Sequence, residues 1–445
     1  MKKFNYDYSR TMMMKILVAN PDNKGGSKVF LTFDEVLEII KKADELTAGA
    51  PKIIYLVGWQ YLGHDDRYPE FFEVNRFAAG TETAEEAREK LLWLIREAKK
   101  YHTVLSLHIN FSDAYEESGL WDEYLKNDLI VKNSKGQPRV TGEWNSRKAY
   151  QVLFSKEYES GYFQKRADKL LSLLPFEEIK TLHADAFFIN PGKGVSIKKE
   201  KEYRRKMIEY FSDRGVDITS EFIYRERAFG FRSQWGKSDI IGYIPAVWNL
   251  RMTQRYFLKY PPSLLAGGRL TKGLQWDMDL EKLFYGNIHG EDLFGKEDWE
   301  NKFLKEFALV NVPYLYLNTF ERKKITGLFS NRVAHFSDGV KSYIKDEKIT
   351  KNGKVLKENG TMCIPAVWLK DTYFAYSDKK CSGTYNIGWD EAEIIPVGSG
   401  TFSGKVKTNN GSLTIPFEGG CGYLIKKFEG RIYINENTGY IFSKQ

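Results

Sequence analysis

The chain has 445 residues and only three cysteines, Cys363, Cys381 and Cys421, all in its last quarter. The number is odd and no CxxC pair occurs, so a disulfide framework has no support and buried thiols are expected. Six histidines are present, none in an HxH or HExxH arrangement, so spacing alone specifies no metal site. No window approaches the roughly 18 apolar residues of a membrane span. The N-terminus, MKKFNYDYSRTMMMKILVAN, lacks the long apolar stretch of a signal peptide. On this basis the chain reads as cytoplasmic, or as secreted if a leader has been removed from it. Gly-rich phosphate loops of the GxGxxG and GxxxxGKS kinds are missing. Zinc-finger, RNP and helix-turn-helix signatures are missing too, which leaves nucleic-acid binding without support.

What is present is a large apolar and aromatic content. Hydrophobic residues make up 42% and aromatics 15%, enough for a sizeable core, and flat rings also suit the apolar faces of sugars. The net charge of +8 is modest. The densest basic stretch, residues 198–206 (KKEKEYRRK), is interleaved with glutamates and reads as a solvated helix face.

Apolar, β-rich runs alternate with helical patterns. The runs are Lys52–Trp59, Thr103–Phe111, Thr181–Phe188, Asp217–Phe222, Asp239–Val247 and Val312–Phe320. They are nearly continuous rather than alternating, as parallel strands buried on both faces should be. Between them, Thr32–Leu46 and Thr83–Lys100 each open with a Thr followed three residues later by Glu35 or Glu86, a capping box. Ser155–Leu174 and Lys198–Phe211 are further helix candidates. The texture changes near residue 325, where Asn-Gly turns (KNGK, ENGT, TNNGS) announce hairpins. The expected architecture is a (β/α)8 TIM-type barrel over residues 1–325, followed by an antiparallel β-sandwich domain over 326–445. A barrel is preferred to an open sheet because ionisable residues gather at the C-terminal strand ends: His64 and Asp65, His108 and Asn110, Asp185, Glu221 and Glu321.

Asp185 and Glu221 each end an apolar run, 36 residues apart, about one βαβ unit. On adjacent barrel strands they would face one cavity. Glycoside cleavage needs such a pair: one carboxylate to attack or activate water, the other to protonate the leaving oxygen. His108 and Asn110 alternate on one strand and share a face, as do His183 and Asp185. Trp59 and Gln60 precede the turn Gly63-His64-Asp65-Asp66, a pairing of ring and acid that suits sugar hydroxyls. Trp144, Trp235, Trp248 and Trp276 are further candidate ring platforms.

Five segments in register resemble the catalytic domain of endo-α-N-acetylgalactosaminidases, glycoside hydrolase family 101. They are GHDDRYPEFFEVNRFAAG (63–80), LSLHINFSDAYEES (105–118), EWNSRKAYQVLFSKEY (143–158), LHADAFF (182–188) and ITSEF (218–222). The resemblance spans about residues 50–320. It implies a distorted barrel that cleaves α-linked N-acetylgalactosamine, bare or galactosyl-capped, from Ser/Thr with retention and without a cofactor. It also implies Asp185 as nucleophile, Glu221 as acid/base, and Asp65 and Asn110 as sugar contacts. The family's tryptophan-rich loop falls near Trp144, where this chain is shorter and carries one Trp. The compact chain suggests imported sugar–amino acids, short glycopeptides or other α-galactosides as substrates. His64, His108, His183, Trp59, Trp144 and Trp276 complete the expected carbohydrate or glycopeptide site.

Other readings stay open at this level. His64, His108 and Asp185 could instead serve a metal-dependent barrel hydrolase. The barrel could be a catalytically silent carbohydrate-binding protein, or another α-glycosidase or transglycosylase on the same scaffold. Oligomeric state is not readable.

Overall fold

The computed structural model describes residues 4–187, 189, 192–220, 241–242, 283–286, 288–289, 291, 293–428, 433–434 and 441–442. Seven strands form one parallel sheet: β1 (Met12–Leu17), β2 (Lys52–Val57), β3 (Thr103–Asn110), β4 (Thr181–Asp185), β5 (Asp217–Ser220), β6 (Ile241–Gly242) and β7 (Ile288–His289). Their order in space is β6-β5-β4-β3-β2-β1-β7. Each strand from β1 to β6 lies beside its predecessor, and β7 returns to pair in parallel with β1. This is the singly wound βα pattern expected from the sequence. No closed barrel is seen among the described residues, so the expected (β/α)8 barrel is met as a mixed α/β layer with a parallel sheet.

Strand alternation divides the sheet into two unlike faces. Met14, Ile16, Ile54, Leu56, Leu105, Leu107, Leu182 and Ile218 belong to the main apolar core. They pack against α1 (Phe33–Thr47), α2 (Ala84–Lys99), α3 (Tyr162–Leu173) and α4 (Ile197–Ser212), through residues such as Ile40, Leu94, Leu170 and Phe211. Burying each such side chain contributes about 1.5–3 kcal/mol. The other face carries Lys15, Tyr55, Ser106, His108, Asn110, Thr181, His183, Asp217 and Thr219, all buried and polar or hydroxylated. They line up by register: Lys15 with Tyr55, Tyr55 with Ser106, His108 with His183, His183 with Thr219.

Both capping boxes are formed. Thr32 and Glu35 bond reciprocally at α1, and Thr83 and Glu86 at α2; each cap is worth about 1 kcal/mol. The single helix expected over Ser155–Leu174 is two, Phe154–Glu159 and α3, separated at Gly161, whose φ of 81° no helix continues through. Val312–Phe320 is a correction. In place of the expected strand stands a helix, Val312–Leu317, entered from a π-helical turn, Phe307–Asn311, with Pro313 in its first turn. Every residue of Val312–Leu317 is buried, and a helix that is apolar all round has the sequence signature of a buried strand. Glu321 accordingly follows a helix instead of ending a strand. Strand β1 was not expected; MMMKIL lacks the β-branched enrichment of its neighbours.

A second sheet of ten antiparallel strands begins at Arg322–Thr326 and runs as a meander to Thr372–Ser377 before Cys421–Lys427, Glu391–Val397 and Gly404–Lys407 join it. Asn352-Gly353 and Asn359-Gly360 hold positive φ at both positions, the type I′ geometry their sequence demands. One face of this sheet meets the helical layer through Phe303, Phe307, Trp368 and Phe374. The other is covered by the strand pair Lys380–Asn386 and Ser412–Glu418, closing a core of Ile394, Leu413, Ile415, Phe417 and Ile425. Among the described residues no helix is long and apolar enough to cross a membrane.

Candidate functional site

The polar face of the parallel sheet ends, at the C-terminal edge of β2, β3 and β4, in a cluster of ionisable side chains. Four rings form a column along it. Tyr55 and His183 lie 5.1 Å apart between centroids, His183 and His108 5.2 Å, and His108 and His64 5.2 Å. His183 is anchored at its base by a hydrogen bond between Nδ1 and Thr219 Oγ1 at 2.9 Å. At the top, His108 Nε2 stands 3.9 Å from Asp185 Oδ1, and His64 Nε2 3.3 Å from Asp65 Oδ2. His64, Asp65 and Asp185 bring one donor atom each to within 4.8 Å of one another.

The loop after β2 pays a conformational cost to hold this arrangement. Tyr61, Asp65 and Arg67 all have left-handed φ, 43°, 55° and 59°. Such a residue costs roughly 1–2 kcal/mol, and strain of this kind collects at functional sites. Gly63 is needed for close approach: a Cβ there would stand 2.5 Å from the Ala19 carbonyl oxygen. His64 N donates to the same carbonyl at 2.8 Å. Asp66 accepts from Leu62 N and pairs with Arg147. Asn145, in the turn of the hairpin formed by Val140–Trp144 and Arg147–Gln151, donates to the His64 carbonyl at 3.0 Å. The hairpin therefore clasps the loop that carries His64 and Asp65.

Charge is distributed unevenly in the cluster. Burial first, then the Lys15 charge and the neighbouring His64 and His183, holds His108 well below the ordinary histidine range, so it is a neutral imidazole at pH 7. The contact to Asp185 is thus not an ion pair, and 3.9 Å is too long for a direct hydrogen bond. Tyr68 and Tyr115 are pushed far up, first by burial and then by Asp65, with Asp185 and Asp113 adding to it. Both stay protonated, and the Tyr68 hydroxyl accepts from Gln60 Nε2 at 3.0 Å. His64 Nδ1, both ring nitrogens of His108, the Tyr115 hydroxyl and Gln60 Oε1 are buried without a hydrogen-bond partner among the described residues. A native core leaves few such atoms, so several together single out this place in the fold.

The structure therefore brings His64, Asp65, His108, His183 and Asp185 together, as expected. Asn110 stands in register beside Asp185, but its side chain is committed to its own turn: Oδ1 accepts from Ser112 N and Asp113 N, and Nδ2 donates to Asp113 Oδ2 at 2.8 Å. Trp59 has no exposed surface, and its indole N–H donates to the His108 carbonyl at 2.9 Å. It braces β3 from the core and presents no ring face to solvent. Trp144 is 52% exposed beside the hairpin turn, with its ring over Gly142. The rival metal-hydrolase reading named His64, His108 and Asp185; the group that converges has Asp65 in place of His108. Glu221, Trp235, Trp248 and Trp276 lie outside the described residues. Tyr68, Tyr115, Gln60 and Lys15 were not singled out in the sequence, although Tyr68 and Tyr115 fall inside two of the five resembling segments.

The strand ends of the parallel sheet thus gather carboxylates and imidazoles in one cluster, and the family match gives the class, a glycoside hydrolase. Residues 13–243 match the model of glycoside hydrolase family 101, endo-α-N-acetylgalactosaminidase, and this is just over half of the chain. The protein is a member of that family. Among solved structures, α-N-acetylgalactosaminidase NagBb from Bifidobacterium bifidum in complex with GalNAc is similar over 77% of this chain and 57% of its own, at 15% identity and a TM-score of 0.52. A quadruple mutant of the same enzyme gives 78%, 58%, 14% and 0.54. At this identity the likeness speaks for the fold, and the chain spans less than two thirds of those proteins' length.

Proposed function

We propose that the protein is a retaining α-glycosidase acting on α-linked N-acetylgalactosamine or related α-galacto-configured glycosides, borne by Ser/Thr, short glycopeptides or oligosaccharides. The observation that carries the reading is the placement of Asp185 and Asp65 at one rim, 15% and 11% exposed, among buried polar atoms with no partner among the described residues. Asp185 attacks the anomeric carbon and forms a glycosyl-enzyme, Glu221 protonates the departing oxygen and then deprotonates water, and Asp65 grips sugar hydroxyls. The winding order, with β7 returning to β1, supports a sheet that closes into a (β/α)8 barrel, with the antiparallel domain taken from about residue 326.

The test is a panel of p-nitrophenyl glycosides: α-GalNAc, Galβ1,3-α-GalNAc, α-galactoside, α-glucoside and their β-anomers. Cleavage of an α-galacto member with retention is expected. Glu221→Gln should retain glycosyl-enzyme formation on activated aryl leaving groups while losing natural glycosides; equal loss on both would remove Glu221 from the acid role. The convergence of His64, Asp65 and Asp185 favours one rival, a metal-dependent hydrolase. Stoichiometric metal in the purified protein, with activity lost on chelation and restored by the ion, would select it.

A further inference from the structure

Away from the strand-end cluster, a cavity of about 730 Å3 opens between the helical layer and the antiparallel sheet. Its walls include Lys302, Lys305, Val310, Asp346, Asn359 and Asp378. That volume lies in the usual range of ligand pockets, and junctions between layers are a common place for them. Three features of the wall are unusual. Val310 belongs to the π-helical turn Phe307–Asn311, a rare form that is frequently found at functional sites. Asp346 and Glu347 hold left-handed φ of 61° and 44°. Asp378 Oδ1 is buried with no hydrogen-bond partner among the described residues, and its space exists because residue 360 is glycine: a Cβ there would stand 2.6 Å from that oxygen.

We infer that this cavity is a second, non-catalytic binding site for a neutral, polyhydroxylated ligand, a mono- or disaccharide. The chemistry of the wall selects the class. The wall carries both lysine donors and carboxylate acceptors, and the Lys305 ammonium stands 3.6 Å from Asp378, so neither sign of charge dominates. A hydroxyl both donates and accepts, and a sugar can satisfy both kinds of group at once. A divalent cation needs carboxylates converging on one point, and among the described residues the only such group is the one at the strand ends. The site does not depend on the catalytic assignment.

The test is titration of the full chain with lactose and with N-acetylgalactosamine, followed by calorimetry and saturation-transfer NMR. Lactose carries no α-linkage to a second sugar and is not consumed by an α-glycosidase. Saturable binding is expected in wild type and in Asp65→Ala. It should weaken by ~10-fold or more in Asp378→Ala. Lys305→Glu, at an exposed position, should act the same way and guards against a folding defect in the first variant. Turnover of a small aryl glycoside should change less than about twofold in both. Binding that is indifferent to both substitutions, absent in the folded wild type, or shown only for a zwitterionic dipeptide such as glycylserine would overturn the inference.

Discussion

The two ends of the polar sheet face use the same residue types to opposite effect. At the N-terminal end, Asp217 accepts from Asn5 N at 2.8 Å, Asn5 Nδ2 at 3.0 Å and Tyr8 OH at 3.0 Å. Tyr8 and Tyr55 both reach Thr181, and Tyr6 donates to the Ile179 carbonyl. The segment before β1 thus closes that end with a bonded network. At the C-terminal end, His64, His108, Tyr115 and Gln60 keep buried polar atoms without partners among the described residues. An unpaired buried polar atom costs about 1–3 kcal/mol. One end therefore adds stability, and the other gives some up to hold donors and acceptors ready for a ligand. Parallel βα sheets of this kind place their chemistry at the C-terminal strand ends.

The comparison is broken most severely at Asp185. Asp185→Asn should lower kcat by at least ~1000-fold while the thermal midpoint stays within about 2 °C, because the change removes a nucleophile and no packing. Turnover near wild type would end the assignment. Asp65→Ala comes next. Loss of charged hydrogen bonds to substrate of about 1.5–3 kcal/mol should cut kcat/KM by ~10–100-fold, and a sugar-competitive inhibitor should weaken in parallel. At the other end the expectation reverses. Asp217→Ala strands the Asn5 and Tyr8 donors and should cost about 2–3 kcal/mol in denaturant unfolding, with kcat per folded molecule unchanged. A large activity loss without destabilisation there would erase the distinction between the ends.

How far the sequence announces these features depends on the distance over which each is determined. The capping boxes at Thr32 and Thr83 and the Asn-Gly turns at 352–353 and 359–360 are set within four residues, and they read correctly. Strands β2 to β5 read correctly because their burial is continuous. Met12–Leu17 and Val312–Leu317 do not, since whether an apolar run is strand or helix is decided by what packs around it. In the candidate site, His64, His108, His183 and Asp185 stand out as ionisable groups ending apolar runs. Tyr68 and Tyr115 look like ordinary core aromatics, and only the folded chain brings them close enough for Asp65 and Asp185 to raise them. Trp59 shows the converse. A Trp beside an acid reads as a sugar platform, yet its ring is consumed by the core.

The smallest expected effect concerns His108, which binds the two ends through the ring column. Its ordinary value is 6.5, and burial together with nearby cationic groups depresses it in the folded protein. The unfolded chain therefore takes up a proton on this side chain as pH falls below about 6.5, whereas the folded chain does not. Its contribution is fully present above that pH and is lost below it, by at most about 1.4 kcal/mol per pH unit. His108→Gln cannot titrate. The wild-type stability advantage over this variant should shrink as pH drops from about 7 to 5, with up to one proton's difference in slope. A stability difference that is constant over that range would mean that His108 is protonated in the folded state. It would then stand as a cation 3.9 Å from Asp185, and the neutral upper end of the column would have to be abandoned.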